Sequence, residues 1–142
     1  MARRTIVLKG GPPQIDEQES ALEAITPGPV VVSSTRCPGV KKNTDDAANV
    51  AAAFALEREE LGRDIDVAYA IGDKVKVGTF HPGQRVNAFL ASGQNVAKGA
   101  YLTGNTTGLL SAASVSASVR LARALESVNS TNDATRIRVE IV

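Results

Sequence analysis

Residues 86–104 read VNAFLASGQNVAKGAYLTG, and the spacing of the apolar residues and glycines in this stretch is typical of short strands. Val86, Ala88 and Leu90 stand at alternate positions, which is the period of a strand with one buried face. Three glycines follow at short intervals: Gly93, Gly99 and Gly104. Glycine adopts the positive φ of tight turns without a Cβ penalty. The stretch therefore predicts short strands joined by close turns, as in a small β-barrel.

Glycine-rich stretches also bind phosphate groups, and the flanking residues distinguish a phosphate-binding loop from turns between strands. A P-loop requires G-x4-G-K-[ST] between a strand and a helix, because its lysine and hydroxyl contact the phosphates and magnesium. Here Ala100 and Tyr101 follow Gly99, and the G-x-G-x-x-G fingerprint of dinucleotide sites is also missing. The continuation YLTGNTTGLL contains β-branched residues and further glycines rather than a helix start. We interpret the glycines as turn residues.

The composition excludes several classes of protein. The chain has 142 residues, of which 43% are hydrophobic and only 4% aromatic, which predicts a core of aliphatic side chains. Its formal net charge is +1, without the clustered basic excess of nucleic-acid binders. A single cysteine, Cys37, rules out an internal disulfide. The apolar runs are too short for an export signal or a membrane span, so we expect an intracellular chain without membrane contacts.

Alternating apolar residues predict further strands on both sides of the opening stretch. The period of two occurs in DIDVAYAI (64–71), in SVSASVRL (114–121) and in RIRVEIV (136–142). Additional turn residues separate the predicted strands: Gly72, Pro82 and Gly83. The fold class predicted from about residue 30 onward is a mainly β domain, a small barrel of short strands.

Residues 44–61 read TDDAANVAAAFALEREEL and fit two kinds of secondary structure. The alanine content and a cap signal at Asn43 favour a helix that ends near Gly62. A strand also fits, because Phe54 and Leu56 then share one face with small alanines opposite, as in a strand buried on both sides. Alanine propensity alone favours the helix, whereas the period of two agrees with a strand from Ala51 to Glu57, so the residues by themselves leave both open.

The N-terminal residues 1–25 differ from the rest of the chain. A short strand is possible between Arg3 and Lys9, but the sequence GGPP at 10–13 breaks any regular element. The acidic stretch that follows has few large apolar groups and is poor at forming its own core. We therefore predict an extended arm, 1–25, that rests on another surface, and a β-rich domain, 26–142. We expect removal of this arm to weaken attachment of the protein to that other surface more than it weakens folding.

Few side chains suggest catalysis or metal binding. His81 and Cys37 both stand beside turn prolines, and one histidine with one cysteine nearly excludes a closed zinc site. Asp64 and Asp66 share one face of the predicted strand, as a catalytic pair for glycoside hydrolysis could. Carboxylates that simply face the solvent on the outside of a strand are far commoner. Lys98 lacks the neighbours of a lipoate- or biotin-carrying lysine. We expect no catalytic residue, no metal and no cofactor.

An ordered series of motifs runs through the second half of the chain. It comprises GDKVKVGTFHPGQRVNAFLASGQNVAKGAYLTGNTTGLLSAA (72–113) and ARALESVNSTNDATRIRVEIV (122–142), with AFALERE and IDVAYAIGD upstream. In this order the motifs resemble the head-decoration, or capsid cement, proteins of tailed bacteriophages over about residues 26–142. The resemblance rests on the order of these motifs along the chain.

The resemblance implies a β-rich barrel, sometimes called a tulip fold, that forms homotrimers on the outer surface of the capsid. Such proteins sit over junctions between major capsid protein subunits, and their N-terminal arms can reach onto neighbours. The family has no catalytic residue to carry over. It implies a virion protein made in the host cytoplasm, with capsid contacts in the arm: Arg3, Arg4, Lys9, Pro12, Pro13 and Ile15.

A second hypothesis is a small oligomeric β-barrel module that binds a ligand or a nucleic acid. Nucleic-acid binding through such a barrel uses a basic groove with stacking aromatics. The five aromatic residues are scattered, and most stand where a core residue is expected: Phe54, Tyr69, Phe80, Phe89 and Tyr101. We therefore expect no nucleic-acid partner and rank the decoration protein first.

Overall fold

The computed structural model describes residues 5–11, 13–17, 19–33, 39–42, 52–113 and 120–142. This part of the chain is mainly β, with one turn of 3-10 helix at Glu59–Leu61, which confirms the predicted fold class. The strands are β1 Val7–Lys9, β2 Gln14–Asp16, β3 Val31–Ser33, β4 Val40–Lys42, β5 Ala53–Ala55, β6 Val77–Thr79, β7 Arg85–Leu90, β8 Asn95–Val96, β9 Tyr101–Gly104, β10 Leu110–Ala112, β11 Ala122–Ala124, β12 Val128–Asn129 and β13 Thr135–Ile141.

Five strands close into a small barrel. Their order is β7-β10-β9-β11-β13, and the antiparallel pairing of β13 with β7 completes the ring. Most neighbours are antiparallel, whereas β10 meets β7 in parallel at Leu110 and Leu90. The predicted small barrel is therefore confirmed.

The two longest strands, β7 and β13, have the predicted alternation. Val86, Ala88 and Leu90 are fully buried in β7, and Ile137 and Val139 are fully buried in β13. We call this buried cluster the barrel core. Other aliphatic residues that belong to it are Val96, Leu102, Leu110, Leu121, Ala122, Ala124 and Ile141. A barrel of five strands has an interior small enough for such side chains to fill.

The N-terminal segment contributes to the same barrel. Strand β1 pairs with β7, and the Asn87 amide donates to the Ile6 carbonyl at 2.8 Å. The Ile6 side chain is fully buried in the barrel core. The buried carboxylate of Glu57 accepts hydrogen bonds from the Ile6 amide at 3.2 Å and from the Thr5 hydroxyl at 2.6 Å. The described part of this segment thus lies against its own chain.

A second core lies beside the barrel. The sheet β2-β6-β5 and the hairpin β3-β4 enclose it, and its buried residues are Ala21, Ile25, Val31, Val40, Ala55, Tyr69 and Val75. Because Ile6, Ala21 and Ile25 fill the two cores, we expect removal of residues 1–25 to weaken folding, contrary to the expectation from sequence.

Strand β5 separates the two cores and decides between helix and strand for the described part of residues 44–61, which is 52–61. Phe54 belongs to the barrel core, whereas the next residue, Ala55, belongs to the second core. The strand is therefore buried on both faces; it occupies Ala53–Ala55, which is shorter than the range Ala51 to Glu57 favoured from the sequence. Residues 43–51 lie outside the described ranges.

Two predictions about individual segments are wrong. Residues 64–71 contain turns and one isolated bridge at Tyr69 rather than a strand, and Val67 and Ile71 are exposed by 44% and 74%. Gly104 lies inside β9 opposite Leu110, and the turn is made by the residues after it. Gly72, Gly83, Gly93 and Gly99 do have positive φ in turns, and Pro82 lies in the turn of Gly83. The predicted strand at 114–121 lies largely outside the described residues.

Candidate binding surface

A row of polar side chains runs across the outside of the barrel. The strand register places Lys9 beside Arg85, Arg85 beside Glu140, Glu140 beside Arg123, and Arg123 beside Tyr101. These five residues, which we call the charged row, come from β1, β7, β13, β11 and β9. Arg85, Glu140, Arg123 and Tyr101 each lie on the opposite side of the strand from a neighbour that faces the core, because side chains alternate across a strand. For Lys9, a shift of register between Val7 and Lys9 gives the pairing with Arg85.

Glu140 holds the two arginines of the row on either side of itself. Its Oε2 lies 3.4 Å from Arg85 Nε, and its Oε1 lies 3.4 Å from Arg123 Nη2. The arginine side chains remain 41% and 45% exposed, whereas the glutamate side chain is 22% exposed. The carboxylate therefore orients both guanidinium groups while leaving most of their five N–H donors for another acceptor.

The Tyr101 end of the row carries a further cation. The guanidinium carbon of Arg120 lies 4.5 Å from the centroid of the Tyr101 ring, within the range of a cation–π interaction. Phe54, Tyr69 and Phe80 are buried, as expected for most of the aromatic residues, whereas Tyr101 is 40% exposed. With Arg120 included, the surface has four basic groups and one acidic group.

A second exposed surface is apolar. Residues 20–25 and 69–74 run antiparallel, with the Gly72 amide donating to the Ala21 carbonyl at 2.9 Å. We call their exposed apolar side chains the apolar ribbon: Leu22, Ala24, Ala70 and Ile71. Exposed apolar side chains that cluster in this way are typical of contact surfaces.

Asp73 fixes the turn at the end of the apolar ribbon. Its Oδ2 accepts the Ala70 amide at 3.0 Å and lies 3.3 Å from Arg63 Nη1. The backbone hydrogen bond from Ala70, followed by the hydrogen bond from Arg63, lowers the pKa of Asp73 below its ordinary value. The carboxylate form therefore stabilises this turn.

Three of the six predicted capsid contacts lie in the described part of the chain. Lys9 belongs to the charged row, Pro13 is half-buried, and Ile15 lies on the exposed strand β2 with 46% of its surface accessible. The other three predicted contacts, Arg3, Arg4 and Pro12, lie outside the described residues.

Of the candidates for catalysis, His81, Asp64 and Asp66 lie in the described part of the chain. His81 is exposed beside its turn, and Cys37 lies outside the described residues. Asp64 accepts the amide of Ile65 at 2.7 Å, and Asp66 lies 3.5 Å from Arg136, so the two carboxylates have structural partners. Within the described ranges, no group of three or more histidine, cysteine or acidic side chains is placed to hold a metal ion.

The residues that form the charged row were not singled out from sequence, apart from Lys9. Their numbers are far apart, and only the pairing of five strands brings them together. No helix in the described part of the chain has the length and apolar character needed to cross a membrane. No protein-family model matches the chain, and no curated protein matches it.

Proposed function

We propose that this protein is a decoration protein of a tailed-bacteriophage head. In this proposal it binds the outer surface of the assembled capsid as a homotrimer and stabilises contacts between major capsid protein subunits. It is made in the host cytoplasm and acts in the virion without catalysis. The observation that carries the proposal is the ordered series of motifs in residues 72–142, which contains all five strands of the barrel: β7, β9, β10, β11 and β13.

The exposed surfaces support a protein-binding function. The barrel interior is filled by aliphatic side chains, while the charged row and the apolar ribbon face outward. A protein that binds only the assembled lattice stabilises that lattice by mass action. A trimer that engages several capsid subunits at once also gains from a high effective concentration at each further contact.

Binding to undecorated, expanded heads of the parent phage tests this proposal. We expect saturable co-sedimentation of the protein with the heads, a trimer in sedimentation equilibrium, and a rise in the temperature at which the heads disrupt. An Ile71→Asp variant should bind less well, because it places a charge in the apolar ribbon, whereas Leu61→Asp, at an exposed apolar side chain outside the ribbon, should bind as the unmodified protein does. Heads that remain bare at every ionic strength would contradict the proposal.

The second candidate is a small β-barrel module that binds a ligand or a nucleic acid. The pairing of an exposed Tyr101 with Arg120, beside Arg123, favours it, because single-stranded nucleic acids stack on aromatic rings within basic grooves. Affinity for an oligothymidylate that falls steeply with salt would favour this function over capsid binding.

A further inference from the structure

The charged row concentrates positive charge in a chain that is close to neutral. It places Arg85 and Arg123 on either side of Glu140, with Lys9 and Arg120 towards the two ends, whereas the formal net charge of the whole chain is only +1. Elsewhere five basic side chains lie within ion-pair distance of a carboxylate, and two of them, Arg58 and Lys76, share Glu60: Arg58, Arg63, Lys76, Arg136 and Arg138. The charged row therefore has a local excess of basic groups, and its complement is an anionic partner.

The spacing of the two arginines indicates what kind of anionic partner fits. Arg85 and Arg123 stand on either side of Glu140 on strand β13, so two strand spacings separate them, or about 10 Å. In a polyproline II segment every third side chain returns to the same face after a rise of about 9 Å. Carboxylates at every third position of such a segment would therefore meet Arg85 and Arg123 in turn.

The same surface fits a nucleic acid less well. Glu140 lies in the middle of the row and would face a continuous phosphate backbone. In the described part of the row Tyr101 is the one aromatic residue, and Arg120 already covers a face of its ring. Sequence-independent binding of single strands uses several aromatic side chains on which successive bases stack.

We propose that the charged row binds an extended acidic protein segment that lies across strands β7, β13 and β11, with carboxylates at every third position. Arg85 and Arg123 bind successive carboxylates through charge-assisted hydrogen bonds, and Lys9 and Arg120 extend the positive surface at the two ends. The inference rests on the proposed function only for the identity of the partner, which would then be a capsid protein. The binding itself is a property of the barrel surface.

A peptide experiment tests this inference without any capsid. The probe is a fluorescein-labelled (Glu-Pro-Pro)4 peptide, and the readout is fluorescence anisotropy at low ionic strength. We expect saturable binding that weakens as salt is added. The matched (Gln-Pro-Pro)4 peptide should not bind, and a (Glu-Pro)6 peptide, with carboxylates at every second position, should bind several-fold more weakly.

The variants locate the binding on the row. Arg85→Gln combined with Arg123→Gln should weaken binding by about tenfold or more. The control is Arg138→Gln, which removes an exposed arginine of the same barrel face that pairs with Glu126 and should change binding by less than about twofold. Unfolding temperatures of the variants verify that each is folded.

Several results would overturn the inference. They are equal binding of the glutamine peptide, unchanged binding by the folded double variant, an equal loss in Arg138→Gln, and tighter binding of an oligothymidylate than of the acidic peptide. Because the peptide assay needs no phage head, a failure to bind heads and a failure to bind the peptide are separate results.

Discussion

Replacement of Ile6 by alanine tests whether the N-terminal segment is part of the folded barrel. The Ile6 side chain is fully buried in the barrel core, although it lies in a segment whose sequence predicts an extended arm. The substitution leaves the backbone donor to Glu57 and the backbone acceptor for Asn87 in place. It therefore changes side-chain packing and little else.

The expected cost follows from the burial of this side chain. Deletion of a fully buried isoleucine side chain down to Cβ costs about 2–5 kcal/mol, because transfer free energy is lost and a cavity remains. The matched control is Ile15→Ala, the same substitution in the same segment at a side chain that is 46% exposed. Substitutions at such surface positions usually change stability by less than about 0.5 kcal/mol.

Equilibrium unfolding in urea measures both variants. With an m-value of about 2 kcal/mol/M, a loss of 3 kcal/mol moves the midpoint by about 1.5 M, whereas the control moves it by about 0.3 M or less. The measurement is repeated over a range of protein concentrations, since association would add to the apparent stability. If Ile6→Ala and Ile15→Ala shift the midpoint equally, the segment does not pack into the barrel as the structure has it.

Three further predictions concern the second core and its neighbours. Gly78→Ala should lower the free energy of unfolding in urea by about 1–3 kcal/mol, because the added Cβ would stand 2.8 Å from Leu56 Cδ1. Combining it with Leu56→Ala in the same chain should reduce that loss. Tyr69→Phe should cost about 1–3 kcal/mol, since the hydroxyl donates to the Leu56 carbonyl at 2.7 Å and accepts the Lys76 amide at 3.3 Å; an unchanged midpoint would contradict those hydrogen bonds. Because the pKa of Asp73 is lowered in the folded protein, its carboxylate contributes stability above the ordinary aspartate pKa of 3.8, and this contribution is lost as the pH falls through the folded-state value. The free energy of unfolding should therefore depend less steeply on pH near pH 3–4 in Asp73→Asn.

The two longest barrel strands were predictable because their core-facing residues stand at alternate positions. In β13 the apolar Ile137, Val139 and Ile141 are buried, while the polar residues between them face outward. In β7 the core-facing Val86, Ala88 and Leu90 also stand at alternate positions, although Asn87 between them is buried as well. Strand β5 was harder, because it lies between two cores and its two faces are both apolar, so alanine propensity competes with the period of two.

The alternation of residues 64–71 gave a wrong strand for a local reason. The Asp64 carboxylate accepts the Ile65 amide at 2.7 Å, and the Asp64 carbonyl accepts the Val67 amide at 3.1 Å. Such bonds between a short polar side chain and nearby backbone groups compete with a sheet ladder. Only Ile65 and Tyr69 are then buried, and Ile71 is left on the surface.

The charged row could not be read from sequence, because its geometry depends on register. A shift of one residue in the pairing of β13 with β7 would turn Glu140 away from Arg85 and move Val139 out of the core. The burial of Ile137, Val139 and Ile141 therefore fixes not only the fold but also the position of Glu140 between two arginines. In this barrel the apolar residues inside determine which charges meet outside, so a partner that recognises the row depends on a core that it never touches.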